Sequence, residues 1–241
     1  SEDRRGFIKT AAAFTGAIAG FSFFPAATIA GQDRGSASAA NLSRKVPGAT
    51  TLPPCFGPAA NDLNIIGPKE GYSPQVGTLV SMMAWLRPQV IRSVKDLTPE
   101  QLDFLLDDKA NTIGALLNHL AATDAFYHEH TFTGVDWGKW DPSVTEKFGA
   151  AMELGDEGRK KIKGNNVSYY IDLLDQTRES TLAEFKKRDD KWLMTVDEKW
   201  PWGPTNNYCK WFHVCEHESH HLGQINLLKS RLPGAHPAAN G

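Results

Sequence analysis

The chain has 241 residues, 26 basic against 28 acidic, and three cysteines. This near balance excludes a strongly basic nucleic-acid surface. No Walker or Rossmann glycine pattern is present to cradle a nucleotide, so no nucleic-acid partner is expected.

Residues 1–39 read as a twin-arginine signal and linker, because Arg4 and Arg5 precede Phe7, Ile8, Lys9 and a weakly apolar Ala/Gly/Phe stretch. That stretch is poor in Leu and Val and is interrupted by Pro25, so it is a weak bilayer span. The expectation is a periplasmic or secreted protein with no stable membrane anchor after signal cleavage. Residues 40–72 form an irregular arm rich in Gly, Ser, Ala and Pro, residues 73–232 a helical domain, and residues 233–241 a tail.

The first long helix starts at Ser73 as cap, with Pro74 in its first turn, and carries Val76, Leu79, Val80, Met83, Leu86, Val90 and Val94 at three- and four-residue steps. Pro88 is expected to kink it. The segment "LTPEQLDFLLDDKAN" reads as a turn, after which Asn111 caps a second helix bearing Ile113, Leu116, Leu117, Leu120 and Phe126. Residues 143–163 read as one or two short surface helices. A third long helix runs from Val167 to about Lys187 with Tyr170, Leu174, Thr177, Thr181 and Phe185 on one stripe. Thr205 is the expected cap of a fourth, ending near Leu232 before Pro233 and Gly234. Strand signals are few, so the fold class is all-α: an antiparallel four-helix bundle with a long second-to-third connection carrying short helices. Cys209 and Cys215, six residues apart on one helix, lie about 9 Å apart along its axis, too far to bridge. Together with Cys55 they read as unpaired thiols.

The fourth helix contains "CEHESHHLGQ". At about 100° per residue, His213, His221, Gln224 and Leu228 all fall within about 40° of His217. Leu228 marks this stripe as inward-facing, and buried imidazoles there need partners. His217 and His221, one turn apart, have the spacing with which two imidazoles chelate one metal. The embedded H-E-x-x-H suggests a zinc protease, but Leu227 stands where one such family needs a third histidine. No Asp or Glu follows Glu218 to serve the other. The third ligand is therefore sought upstream, at His119 in the middle of the second helix. His130 shares His119's face but lies about 16 Å away along the axis. With His128 it is expected to rim the pocket mouth or face solvent. Three neutral histidines with open positions describe a catalytic metal site. Zinc is the first choice, with nickel, iron and manganese compatible with three imidazoles. Asp124, Glu216, Glu218 and Gln224 are candidates to orient the rings, and the three acids are the candidate catalytic acid or base. No specificity pocket can be read, because Trp85, Tyr127, Trp202 and Trp211 are as a group more often core residues than substrate contacts.

Over roughly Gly67 to Leu232 the chain resembles the DinB/YfiT-like superfamily of metalloenzymes. The resemblance is carried by "IGPKEGYSPQVGTLVSMMAWLR", "NTIGALLNHLAATDAFYHEHTF", "LLDQTRESTL" and "WFHVCEHESHHLGQINLLKSRLPG". It implies a four-helix bundle around one metal, with ligands mapping onto His119, His217 and His221. It also implies activities that include thiol S-transfer, thiol-dependent isomerisation and metal-dependent hydrolysis. Because the usual thiol cosubstrates are cytosolic and this chain reads as exported, the expected function is a metal-dependent hydrolase acting on a small molecule. A thiol S-transferase and a non-enzymatic metal-binding protein are the alternatives, and a homodimer would be in keeping with a helical bundle.

Overall fold

A computed structural model describes residues 63–235. The twin-arginine segment, most of the arm including Cys55, and the end of the tail lie outside the described residues. Four long helices carry the structure: α1 (Pro74–Val94), α3 (Ile113–His128), α6 (Val167–Phe185) and α8 (Asn207–Lys229). Short helices α2 (Pro99–Leu102), α4 (Pro142–Glu153), α5 (Gly155–Lys161) and α7 (Asp190–Leu193) join them. A π-helical turn over Glu129–Thr133 extends α3. Strands β1 (Val196–Asp197) and β2 (Thr205–Asn206) form one small antiparallel ladder. The fold is mostly helical, as the all-α expectation has it. No described helix is long and apolar enough to cross a membrane.

Two helix starts differ from expectation by one residue, each for a hydrogen-bonding reason. Thr112, not Asn111, caps α3 by accepting from the Ala115 N–H at 3.0 Å, and the Asn111 side chain instead accepts from the Gly155 N–H. Asn206, not Thr205, caps α8 through the Cys209 N–H at 2.8 Å, while the Thr205 hydroxyl donates to the Gly203 carbonyl. Ser73 occupies the cap position of α1, but its hydroxyl donates to Asp190. The same Asp190 oxygen accepts the Gln75 and Val76 N–H groups, so a carboxylate from α7 satisfies the orphan donors of α1. The segment read as a turn contains α2, started by a Thr98/Gln101 capping box. Helix α1 continues through Pro88 to Val94.

Helices α3 and α6 pack together, α1 packs on α8, and α3 on α8 closes the arrangement. The directions follow from the paired residues. Arg87 meets Glu218 and Ser93 meets Asn226, so α1 and α8 run parallel. Gly114 approaches Tyr170 and Asp124 meets Thr181, so α3 and α6 also run parallel. The expectation of antiparallel order throughout is thus corrected. After α3 the chain must return the length of the domain before α6 begins, and α4 and α5 make that return. Helix α4, read as a surface helix, also buries Phe148 and Ala151 against α3.

The core is two apolar clusters separated by a charged layer. One gathers Val90, Leu116, Leu117, Leu120, Tyr170, Leu174, Ile225 and Leu228. The other gathers Val76, Leu79, Met83, Tyr127, Phe185 and Trp211. Between them every long helix contributes one buried charge: Arg87 from α1, Asp124 from α3, Arg178 from α6 and Glu218 from α8. Glu218 Oε1 accepts from Arg87 Nε at 2.9 Å and Arg178 Nη2 at 2.6 Å. Asp124 accepts from Arg178 Nε at 2.8 Å and Thr181 Oγ1 at 2.7 Å. Burial alone would raise the Asp124 pKa, but Arg178, Arg87 and the Thr181 hydroxyl outweigh it and hold the carboxyl below its ordinary value.

Truncating one member strands a buried charge. Arg178→Ala is therefore expected to lower unfolding free energy by about 3–5 kcal/mol, read from urea denaturation. Because the folded pKa of Asp124 is depressed, its contribution is present above its unfolded pKa of about 3.9 and is lost as pH falls toward the folded value. Acid denaturation curves should accordingly be shallower for Asp124→Asn than for the native chain. Curves of equal steepness would show that Asp124 carries no such linkage.

Candidate metal centre

His119, His217 and His221 converge, as periodicity and elimination expected. His119 lies mid-way along α3 and is 2% exposed, and His221 on α8 is 7% exposed. His217, one turn before His221, is half-buried. The Nε2 atoms of His119 and His217 are 2.9 Å apart, and those of His217 and His221 are 3.1 Å apart. One nitrogen from each ring lies within 4.8 Å of the others. With metal–nitrogen bonds of about 2.0–2.1 Å, two ligands at tetrahedral or right angles sit about 2.9–3.4 Å apart.

The outer nitrogens decide what these inner ones can be. His119 Nδ1 lies 2.9 Å from the carbonyl of Ala151, which can only accept, so Nδ1 carries the proton and Nε2 a bare lone pair. His221 Nδ1 stands in the same relation to Gln224 Oε1 at 2.7 Å. Two lone pairs therefore face His217 Nε2, which could offer at most one proton. Burial, reinforced by the neighbouring His221, pushes the His119 pKa down to about 3. Burial and the adjacent imidazoles press His217 well below its ordinary range, and burial also lowers His221. All three rings are neutral at physiological pH, the form that binds metal. Two inward lone pairs facing a third imidazole nitrogen that can satisfy at most one of them fit a cation, and the chemistry of the set suits a divalent ion.

The candidate acids part ways. Asp124 and Glu218 are inside the arginine-bonded layer, with their charges already matched, so neither is placed to act as acid or base at the histidines. Glu218, a candidate acid or base and a candidate to orient the rings, instead turns its side chain to α1 and α6. Glu216 turns the other way. It is half-buried and accepts from His213 Nδ1 and His220 Nδ1, each at 2.8 Å. The His213 ring stands 5.1 Å from that of His217, beside the cluster. His130 does not rim the mouth. Its Nδ1 donates to the Val135 carbonyl at 2.7 Å, and its Nε2 accepts from buried Lys210, which also pairs with Asp197. His128 lies against Phe132. Cys215 is buried on the far side of α8, its thiol pushed up to about 12 by burial, and Cys209 is free and exposed.

Sequence reasoning missed three participants. The Ala151 carbonyl could not be read, because a backbone oxygen leaves no trace in the residue type. Arg87 and Arg178 could have been found: each stands on the apolar stripe of its helix, four residues after Met83 and Leu174 respectively.

The sequence profile of mycothiol S-transferases matches residues 78–234, from the first turns of α1 through α8, with all three histidines inside the match. The chain belongs to the mycothiol S-transferase family. It is thereby a member of the DinB/YfiT-like metalloenzyme superfamily, as its motifs suggested. No curated protein matches it in a sequence search. For a family member of this kind the three-histidine cluster is the natural metal position.

Gln224→Leu would leave His221 Nδ1–H without its acceptor. It is expected to weaken divalent-metal affinity about 10–100-fold in competition with a chromophoric chelator. His217→Ala should abolish stoichiometric binding. Retention of full affinity in both variants would place the metal elsewhere.

Proposed function

We propose that the chain is a metal-dependent thiol S-transferase that joins a low-molecular-weight thiol, mycothiol by the family's name, to an electrophilic carbon. The carrying observation is the convergence of the Nε2 atoms of His119, His217 and His221 in a chain whose family is defined by thiol transfer. This reading replaces the hydrolase expectation, which the family match does not support.

A divalent ion, which we take as zinc, favours the thiolate form of a bound thiol at neutral pH. The remaining work falls to side chains and backbone of this chain. Ala151 and Gln224 lock two rings in the ligating tautomer. The charged layer behind His217 ties α1, α3, α6 and α8 in one register and so holds the ligand-bearing helices in place. His213, its Nδ1–H bonded to Glu216, has Nε2 as the atom that can accept the thiol proton and pass it to water. Burial lowers the His213 pKa against the opposing influence of Glu216, so the ring is neutral and able to accept. The thiolate sulfur then forms a bond to the electrophilic carbon, and the leaving group departs with the bonding pair. The twin-arginine pattern at Arg4 and Arg5 supports export of the folded protein, so the thiol would be met outside the cytoplasm.

Metal-loaded protein should conjugate mycothiol to iodoacetamide, and His217→Ala should remove both metal and activity. His213→Ala should keep the metal and lose about a hundredfold in kcat/KM at neutral pH, with the deficit shrinking as pH rises and the thiol ionises unaided. A fully metallated protein without thiol transfer would end this reading.

A further inference from the structure

Trp202 is an exposed aromatic residue separated from the histidine cluster by one ring, His213. It is 52% exposed, although the neighbouring Trp200 is 3% exposed. Its ring stands edge-on to His213 at 4.9 Å and 85°, and edge-on to Trp200 at 5.5 Å and 86°. One imidazole, His213, therefore lies between Trp202 and the ligand His217. Exposure rises in the same direction, from 7% at His221 to 23% for the His213 side chain and 52% at Trp202.

The loop that presents this indole is closed at both ends. Val196 pairs with Asn206 and Asp197 with Thr205 in the β1–β2 ladder. Lys210 of α8 holds Asp197 at 2.8 Å and sits over the Trp200 ring. Gly203 adopts φ +101°, a conformation that L side chains rarely take, and its N–H donates to the Trp200 carbonyl at 2.9 Å. A large apolar ring is thus kept in water by a tied loop, at a cost that ordinary burial would have avoided.

We propose that Trp202 determines electrophile specificity by receiving an aromatic group on its exposed indole while the reactive carbon reaches the thiolate at the histidine cluster. The proposal rests on the S-transferase reading for its chemistry and on the Trp202–His213–His217 ring series for its geometry. The substrate class it assigns is an electrophile with an aryl group next to the reacting carbon. For 4-nitrobenzyl chloride, the thiol sulfur forms the new C–S bond, the C–Cl bond breaks, chloride leaves with the electron pair, and the thiol proton passes to buffer.

Two measurements test it on the metal-loaded full chain. In the first, kcat/KM is compared for 4-nitrobenzyl chloride and iodoacetamide. Trp202→Ala should reduce the preference for the aryl electrophile about tenfold, mainly through KM, and Trp202→Phe should restore most of it. Phe212→Ala, which removes an equally exposed ring on another face of α8, should keep the preference. A preference unchanged in Trp202→Ala, or lost equally in Phe212→Ala, overturns the proposal. In the second, the Trp202 indole N–H resonance, identified by its absence in Trp202→Phe, is followed by NMR. It should shift with S-benzylcysteine and not with S-methylcysteine, and a response to both or to neither overturns the proposal. Absence of transfer to either electrophile would defeat the S-transferase reading alone, because the NMR arm still decides whether Trp202 receives an aryl group.

Discussion

The buried layer of Arg87, Asp124, Arg178 and Glu218 is the constraint on which the rest depends. Four charges removed from water are tolerable only when each finds its opposite at hydrogen-bonding distance. Apolar side chains pack acceptably over a range of helix rotations and slides, whereas a carboxylate serving two guanidinium groups does not. With one member on each long helix, the layer sets axial register for the whole domain. Asp124 is five residues beyond His119 on α3, and Glu218 directly follows His217 on α8. The register that pairs the charges therefore also brings the imidazoles face to face.

The two glutamates flanking His217 show how one helix divides its labour. Glu218 faces α1 and α6 and is consumed by arginines, while Glu216 faces the other flank and orients two histidines. The histidine stripe lies between an electrostatically closed side and a wet, adjustable one. Chemistry that moves a proton belongs on the second, where water can exchange it. The resemblance to a protease pattern in this helix arises from the first, where a glutamate in the right sequence position performs a packing role.

Much of this architecture was legible from residue spacing. The four long helices follow from three- and four-residue apolar steps, and His119, His217 and His221 follow from the inward stripe and the lack of downstream acids. The antiparallel order did not hold, because periodicity reports which face of a helix is buried and carries nothing about the direction of its neighbour. The length of the α3–α6 connection was the clue, since a chain that must come back needs residues to do so. The cap shifts from Asn111 to Thr112 and from Thr205 to Asn206 reflect adjacent residues of similar capping strength, between which tertiary contacts decide. The carbonyl of Ala151 and the pairing of Arg87 and Arg178 with Asp124 and Glu218 depend on packing across ranges that local pattern does not reach.

The histidine cluster draws one member from α3 and two from α8, the last of the described helices. A ribosome-bound chain that has released α1, α3 and α6 presents His119 alone, and one imidazole holds a metal weakly. The other two histidines, and the carboxylate of Glu218 that both arginines share, arrive together on α8. Assembly of the three-histidine cluster and completion of the charged layer that Asp124 begins thus both wait on α8. A chain cut before α8 would lack both, so the histidine cluster and the charged layer form together or not at all.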